Sequence, residues 1–102
     1  MKIAFKMKLR PGFASEYQKR HEEIWPALSA LLKENGISDY SIFLDEETNI
    51  LFAVQEQNGQ SSQNLGDTAI VQKWWAYMAD IMETNPDHSP VSKDLIQVFH
   101  LA

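Results

Sequence analysis

An aromatic hydroxyl and an imidazole lie four residues apart, at Tyr17 and His21. A helix turns by about 100° per residue, so this spacing puts both rings on one face, which the surrounding periodicity makes the apolar face. Imidazole can give and take a proton near neutral pH. Pro26 interrupts the same pattern and clashes with the carbonyl of Glu22, so we expect a kink just after His21. The kink should leave carbonyls of the His21 turn without helical partners, so a polar ligand could bind there. The alternative is core packing, which is also typical of a single His on an apolar face.

Two adjacent indoles, Trp74 and Trp75, add flat apolar surface. Neighbouring helical positions point about 100° apart, so we expect that the two cannot both enter one core. A pyranose ring has C–H patches on its faces and hydroxyls at its rim, so a sugar site needs flat rings and a few hydrogen-bonding groups. Together with Tyr17, Tyr40 and His21, the Trp pair could supply both. Taken alone, Trp74 would be explained as core, Trp75 as a helix flank or interface, and Tyr40 as strand packing.

Composition restricts the classes of function. The chain has 102 residues, enough for one domain, 1–102, and too few for two. A net charge of −5 without a basic cluster argues against nucleic-acid binding. No apolar run approaches the roughly 18 residues of a membrane span, and Met1 leads into an alternating segment rather than a signal peptide. The chain has no Cys, which fits a reducing compartment, so we expect a cytoplasmic protein that binds no membrane.

Metal and phosphate motifs are not found in the sequence. The spacing of His21, His88 and His100 puts no two of these rings on one helical face. No Asp or Glu lies at a metal-ligand spacing beside His88 or His100. The chain also has no glycine-rich phosphate loop and no G-x-S-x-G elbow. We therefore expect no bound metal and no cofactor.

Hydrophobic periodicity predicts four strands and two long helices. The first long helix should end in a left-handed cap at Gly36, the acidic run between the middle strands should be a solvated turn, and Asp67 should cap the second helix. The segments in order are strand 2–10, helix 13–35, strands 37–44 and 50–57 as a hairpin, a polar segment 58–66 with room for a short helical turn, helix 67–83, a proline-stiffened loop 84–93 and strand 94–101. This β-α-β-β-α-β order predicts an α+β protein with the ferredoxin-like fold.

The predicted sheet has more apolar surface than two helices can cover. Strands 50–57 and 94–101 are apolar on both faces, yet both helices should lie on the same side of the sheet. An uncovered apolar face would be unusually large for a monomer. We therefore expect a homodimer packed sheet to sheet, or a curved sheet that encloses a ligand, and the two are compatible.

Five blocks of sequence resemble the L-rhamnose mutarotase family. The resemblance runs nearly from end to end, with no match over about 57–70. It implies a dimeric α+β barrel and a cofactor-free enzyme that interconverts the α and β anomers of L-rhamnose or a related 6-deoxy sugar. It also implies His21 as general acid and a sugar site lined by Tyr17, Tyr40, Trp74 and Trp75. The matching blocks are Glu16-Tyr17-Gln18-Lys19-Arg20-His21, Ile24-Trp25-Pro26, Asp39-Tyr40-Ser41-Ile42, Trp74-Trp75-Ala76-Tyr77-Met78, and Asn85-Pro86-Asp87 through Ser89-Pro90-Val91-Ser92.

Mutarotation suits these residue types. It needs one proton delivered to the ring oxygen and another removed from the anomeric hydroxyl, which an imidazole can do in alternate directions. Tyr17 could be the second proton-handling group or could only hold a hydroxyl, and the high pKa of an ordinary phenol favours the second role. Two other classes remain open: a cofactor-independent oxygenase or haem-binding protein on the same fold, and a non-catalytic dimeric metabolite sensor.

Overall fold

The predicted strands occur in the predicted order, with the first long helix divided in two, in the computed structural model, which describes residues 1–58 and 64–102. Most of the predicted polar segment 58–66, with its short helical turn, lies outside the described residues. The elements are β1 (Lys2–Lys8), α1 (Ala14–Glu22), α2 (Pro26–Glu34), β2 (Ile37–Asp45), β3 (Ile50–Gln57), α3 (Ala69–Met78) and β4 (Ser92–Asp94).

The four described strands form one antiparallel sheet in the order β2-β3-β1-β4. Alternate residues of the central strands, among them Phe5 and Met7 of β1 and Leu51 and Ala53 of β3, are buried beneath the helices. They belong to one cluster with buried residues of α2 and α3 such as Leu28. The α+β class and the ferredoxin-like order are confirmed.

Pro26 separates two helices, so the prediction of one kinked helix over 13–35 is wrong. The residue before a proline is driven out of the helical region, and Trp25 is extended, with φ −62° and ψ 129°. Pro26 then begins α2 at a position whose N–H would have no helical partner in any case. The expected free carbonyl at His21 is also wrong, because Ile24 N donates to it at 3.3 Å.

Gly36 ends α2 in the left-handed conformation, with φ +80°, as predicted. A Cβ at this position would meet the backbone oxygen of Asn58 at 2.5 Å, so the site requires glycine for both reasons. The acidic turn between β2 and β3 is held by Asp45, whose carboxylate accepts from Glu47 N at 3.1 Å and from the Thr48 hydroxyl at 3.0 Å. The hairpin and its solvated turn are confirmed.

The second half of the chain is less regular than predicted. Helix α3 is shorter than 67–83, and Thr68 rather than Asp67 occupies its N-cap position. Strand β4 covers only 92–94, so the prediction of a strand over 94–101 is wrong beyond its first residue. Leu95 N still donates to Ala4 O at 2.9 Å, but Ile96 and Val98 are 88% and 92% exposed. These apolar side chains bury little surface within the described chain. Among the described residues, no helix is both long and apolar enough to traverse a bilayer.

Candidate functional site

A cavity of about 1000 Å³ lies between the helices and the sheet, and all five residues predicted for the sugar site line it. Helix α1 contributes Tyr17 and His21, β2 contributes Tyr40, and α3 contributes Trp74 and Trp75. The volume is within the range of small-molecule sites in proteins. The fold therefore brings together side chains that are up to 58 positions apart in the sequence (75 − 17).

His21 and Tyr17 lie on one face of α1, as the one-turn spacing predicts, and their rings stack on one another. Their ring centroids are 4.3 Å apart with an interplanar angle of 29°. The imidazole Nδ1 of His21 lies 3.0 Å from the backbone carbonyl oxygen of Tyr17. A carbonyl can only accept, so Nδ1 carries the hydrogen. In the neutral ring this leaves the lone pair on Nε2, which is the atom able to take a proton.

Trp74 meets His21 edge to face, with the ring centroids 5.5 Å apart at 90°. Burial among these rings lowers the pKa of His21 from its ordinary value of 6.5, and the hydrogen bond to the Tyr17 carbonyl opposes that shift only partly. The imidazole is therefore neutral at neutral pH. Its resting state is a base at Nε2, and it becomes an acid only after it has taken a proton.

Tyr17 is a neutral hydrogen-bonding group. Its side chain is 8% exposed, and burial, with a smaller contribution from Tyr40, raises the pKa of the phenol far above its usual range. A phenol with a raised pKa gives up its proton less readily than one in water. The hydroxyl is thus suited to holding a polar atom rather than to releasing a proton.

Tyr40 reaches the cavity through an irregularity in β2. The pairing of β2 with β3 shifts register between Ser38 and Ser41, and Asp39 has a positive φ of 46°. In a regular strand, residues 37 and 40 would face opposite sides of the sheet. The bulge instead lets both Ile37 and Tyr40 line the cavity.

The two adjacent Trp residues both belong to the core, contrary to the expectation that they could not. Each is 9% exposed, and both lie in the same buried cluster. The chain just before α3 covers Trp75, since a Cβ built on Gly66 would lie 2.7 Å from two atoms of its indole. A neighbouring segment, rather than the helix alone, therefore accommodates the second indole.

Sequence reasoning missed two aromatic side chains that pack against Trp74. Trp25 lies edge to face with it at 5.1 Å, and Tyr77 lies at 5.7 Å. Trp25 and Tyr77 also stack on each other, at 5.6 Å and 29°. A usable signal was present: Trp25 follows His21 by four residues and Tyr77 follows Trp74 by three, which are the one-turn spacings of a helix.

His88 lines the same cavity, in the loop before β4, and was not predicted there. Its backbone is left-handed, with φ +70°, in a turn where Asn85 N donates to Ser89 O at 2.8 Å. His100 lies in the exposed C-terminal segment. Within residues 1–58 and 64–102, no three His, Asp or Glu side chains are grouped so that they could hold a metal ion.

Comparison with known proteins agrees with this architecture. A crystal structure of an L-rhamnose mutarotase from Formosa agariphila superposes with a TM-score of 0.94 at 53% identity, covering 100% of this chain and 99% of that one. L-rhamnose mutarotases from Bacteroides thetaiotaomicron and Phocaeicola vulgatus are 66% and 60% identical over 99 residues, each match covering 96% of this chain and 95% of the relative. The family profile described as L-rhamnose mutarotase matches residues 2–101.

The fold and the cavity define a small ferredoxin-like α+β protein with a half-buried imidazole among aromatic rings. Within that class, the chain belongs to the L-rhamnose mutarotase family. These relatives do not favour the haem-binding, oxygenase or sensor alternatives.

Proposed function

We propose that the protein is an isomerase that interconverts the α and β anomers of L-rhamnose by acid–base-assisted opening and closure of the sugar ring. Membership of the family over residues 2–101 supports the reaction and the substrate. The single observation that carries the mechanism is the contact of His21 Nδ1 with the Tyr17 carbonyl oxygen at 3.0 Å, which engages the Nδ1 hydrogen and leaves the Nε2 lone pair of the neutral ring to take a substrate proton.

Ring opening begins when Nε2 of His21 takes the proton of the anomeric hydroxyl. The electron pair of that O–H bond forms the aldehyde C=O, the bond from C1 to the ring oxygen breaks, and the ring oxygen takes a proton from a water molecule, which is left as hydroxide. The aldehyde then turns about the C1–C2 bond. In closure the hydroxyl at C5 attacks the other face of the aldehyde and gives its proton to that hydroxide, while the imidazolium acts as general acid and returns a proton to the anomeric oxygen.

The remaining predicted residues bind and orient the sugar in this proposal. Tyr17 donates its hydroxyl hydrogen to a sugar oxygen, which its raised pKa favours over proton release. Trp74 and Trp75 offer flat surfaces to the C–H faces of the ring, and Tyr40 offers an aromatic edge and a hydroxyl from the opposite wall.

We also propose that the reaction needs no metal and no cofactor. Mutarotation moves only protons and proceeds unaided in water, and positioned acid–base groups contribute typically about 10²–10⁴-fold each. Dialysis against a chelator should therefore leave the rate of the protein unchanged.

A homodimer is the proposed assembly. Phe43 and Phe52 are paired across β2 and β3 on the sheet face away from the helices, where they are 64% and 36% exposed. The C-terminal segment adds Phe99, which is 77% exposed and lines a second groove of about 540 Å³ together with Ala4 and Val54 of the same face. A second copy packed on this face would bury these side chains, as expected for an isologous dimer.

Residues 1–102 are proposed to act as one domain, since buried residues from both halves of the chain belong to one cluster. A cytoplasmic location is also proposed, and it is supported by the lack of Cys in the sequence.

Anomer exchange measured by proton NMR tests the proposed function. Added protein should accelerate magnetisation transfer between the anomeric protons of α- and β-L-rhamnose above the buffer blank. A protein that binds rhamnose without accelerating the exchange would be a sensor, and a shifted Soret band on titration with haem would favour the haem-binding alternative. Either result would contradict the proposal.

A further inference from the structure

Arg20, the residue before His21, joins α1 to the C-terminal end of α3. Its Nη1 and Nη2 donate to the two carboxylate oxygens of Asp80 at 2.8 and 3.2 Å. Nη1 also donates to the backbone oxygen of Tyr77 at 2.8 Å, and Nε donates to Glu16 at 2.8 Å. The guanidinium carbon lies 4.5 Å from the centroid of the Tyr77 ring. Five contacts thus fix one side chain.

The geometry of this group depends on the planar fork of arginine. A bidentate pair with Asp80 and a stacked contact with Tyr77 both need a flat guanidinium, which a lysine ammonium cannot replace. The Arg20 side chain is 11% exposed, whereas that of Asp80 is 66% exposed. Arg20 is therefore the enclosed partner of the pair, whereas Asp80 is exposed and can be changed without altering the core.

These contacts lead directly to the cavity. Tyr77 stacks on Trp25, both pack against Trp74, and Trp74 meets the imidazole of His21 at 5.5 Å. Arg20 and His21 are consecutive on α1, so any shift of the helix that moves the guanidinium also moves the imidazole relative to Trp74.

We propose that Arg20 is a positioning residue, which holds α1 against the end of α3 so that His21 is enclosed by Trp74 at the spacing that proton transfer requires. The inference rests on the proposed function for its consequence on rate. The enclosure itself is a property of the protein without substrate, so it can be measured independently.

Arg20→Lys tests the proposal because it keeps the positive charge and removes the fork. Loosening α1 should admit water to the imidazole and raise the pKa of His21 towards its ordinary value, as followed by NMR of the ring protons against pH. Misplacement of the acid–base group should lower kcat for anomer exchange by roughly tenfold or more, with a smaller change in KM. Lys19→Arg, a conservative exchange at an exposed position one residue earlier on α1, is the matched control and should leave both quantities unchanged.

Other ionisable groups also line the cavity that contains His21. None of them is altered by the substitutions, and the constant charge of Arg20→Lys removes a direct electrostatic effect. They are Tyr17, Glu22, Lys33, Asp39, Tyr40, Glu46 and His88.

A folded Arg20→Lys protein with the His21 titration and kcat of the wild type would overturn the proposal, even if its stability to urea were lower. Should that variant fail to fold, Asp80→Asn at the exposed partner is measured instead, with the same expected directions and the same overturning result. Failure of the wild type to exchange anomers would refute the proposed function alone, since the titration still decides whether Arg20 controls the enclosure of His21.

Discussion

The imidazole Nδ1 of His21 is fixed by the backbone carbonyl oxygen of Tyr17 at 3.0 Å, one helical turn back along α1. This bond sets the tautomer without using a second side chain, so Nε2 is the proton acceptor of the neutral ring. A short sequence spacing thereby determines both the ring stack and the position of the reactive lone pair.

The rate of anomer exchange should fall at acid pH with a midpoint below 6.5, the ordinary pKa of the imidazole. Burial lowers the pKa of His21, so the neutral form that accepts the first proton persists as pH falls below that value and is lost only on passing the lowered pKa. The measurement is kcat against pH, corrected for the buffer blank at each point. A midpoint at or above 6.5 would show that burial does not control this group.

Tyr17→Phe should raise KM for rhamnose by up to about tenfold with a smaller effect on kcat, because it removes one hydrogen bond to the sugar and keeps the ring stack. Initial rates of anomer exchange over a range of sugar concentrations give both constants. A collapse of kcat at unchanged KM would instead make the phenol a proton donor.

Gly66→Ala should lower the free energy of unfolding by about 1–3 kcal/mol through overpacking, since its Cβ would lie 2.7 Å from the distal ring atoms of Trp75. Urea unfolding gives the value. In a Trp75→Phe background those atoms are absent, so the same substitution should cost much less. An equal loss of unfolding free energy in the two backgrounds would show that the contact with Trp75 is not the cause.

How much of this architecture the sequence predicts depends on the range of the interactions. The alternation in β1 and the one-turn spacing of Tyr17 and His21 are local signals, and the predicted strand and the shared helical face are both confirmed. Pro26 is also a local signal, but it predicts only a kink, whereas exclusion of Trp25 from the helical region makes a complete break.

Non-local contacts explain what was not predicted. Tyr40 faces the cavity because a bulge forms against β3, and Trp75 is buried because the segment at Gly66 covers it. The hydrophobic periodicity of a single helix or strand cannot predict either contact. The predicted final strand ends early for the same reason, since its apolar residues beyond Leu95 are 77–92% exposed and bury little surface within the described chain.

Phe43→Glu should shift the protein from dimer to monomer and leave its circular dichroism unchanged. The residue is 64% exposed beside Phe52 on the proposed interface, where a carboxylate would be buried without a partner. Sedimentation velocity reports the mass. Phe13→Glu, at an exposed apolar position outside the sheet, is the control and should remain dimeric. A wild type that is monomeric at every concentration would contradict the assembly.

Anomer exchange by His21→Ala tests the central claim most directly. Proton NMR magnetisation transfer between α- and β-L-rhamnose should be accelerated by the wild type, and the variant should lose about 10²–10⁴-fold of that acceleration while its circular dichroism stays that of a folded protein. A folded His21→Ala protein that exchanges the anomers at the wild-type rate would contradict the account.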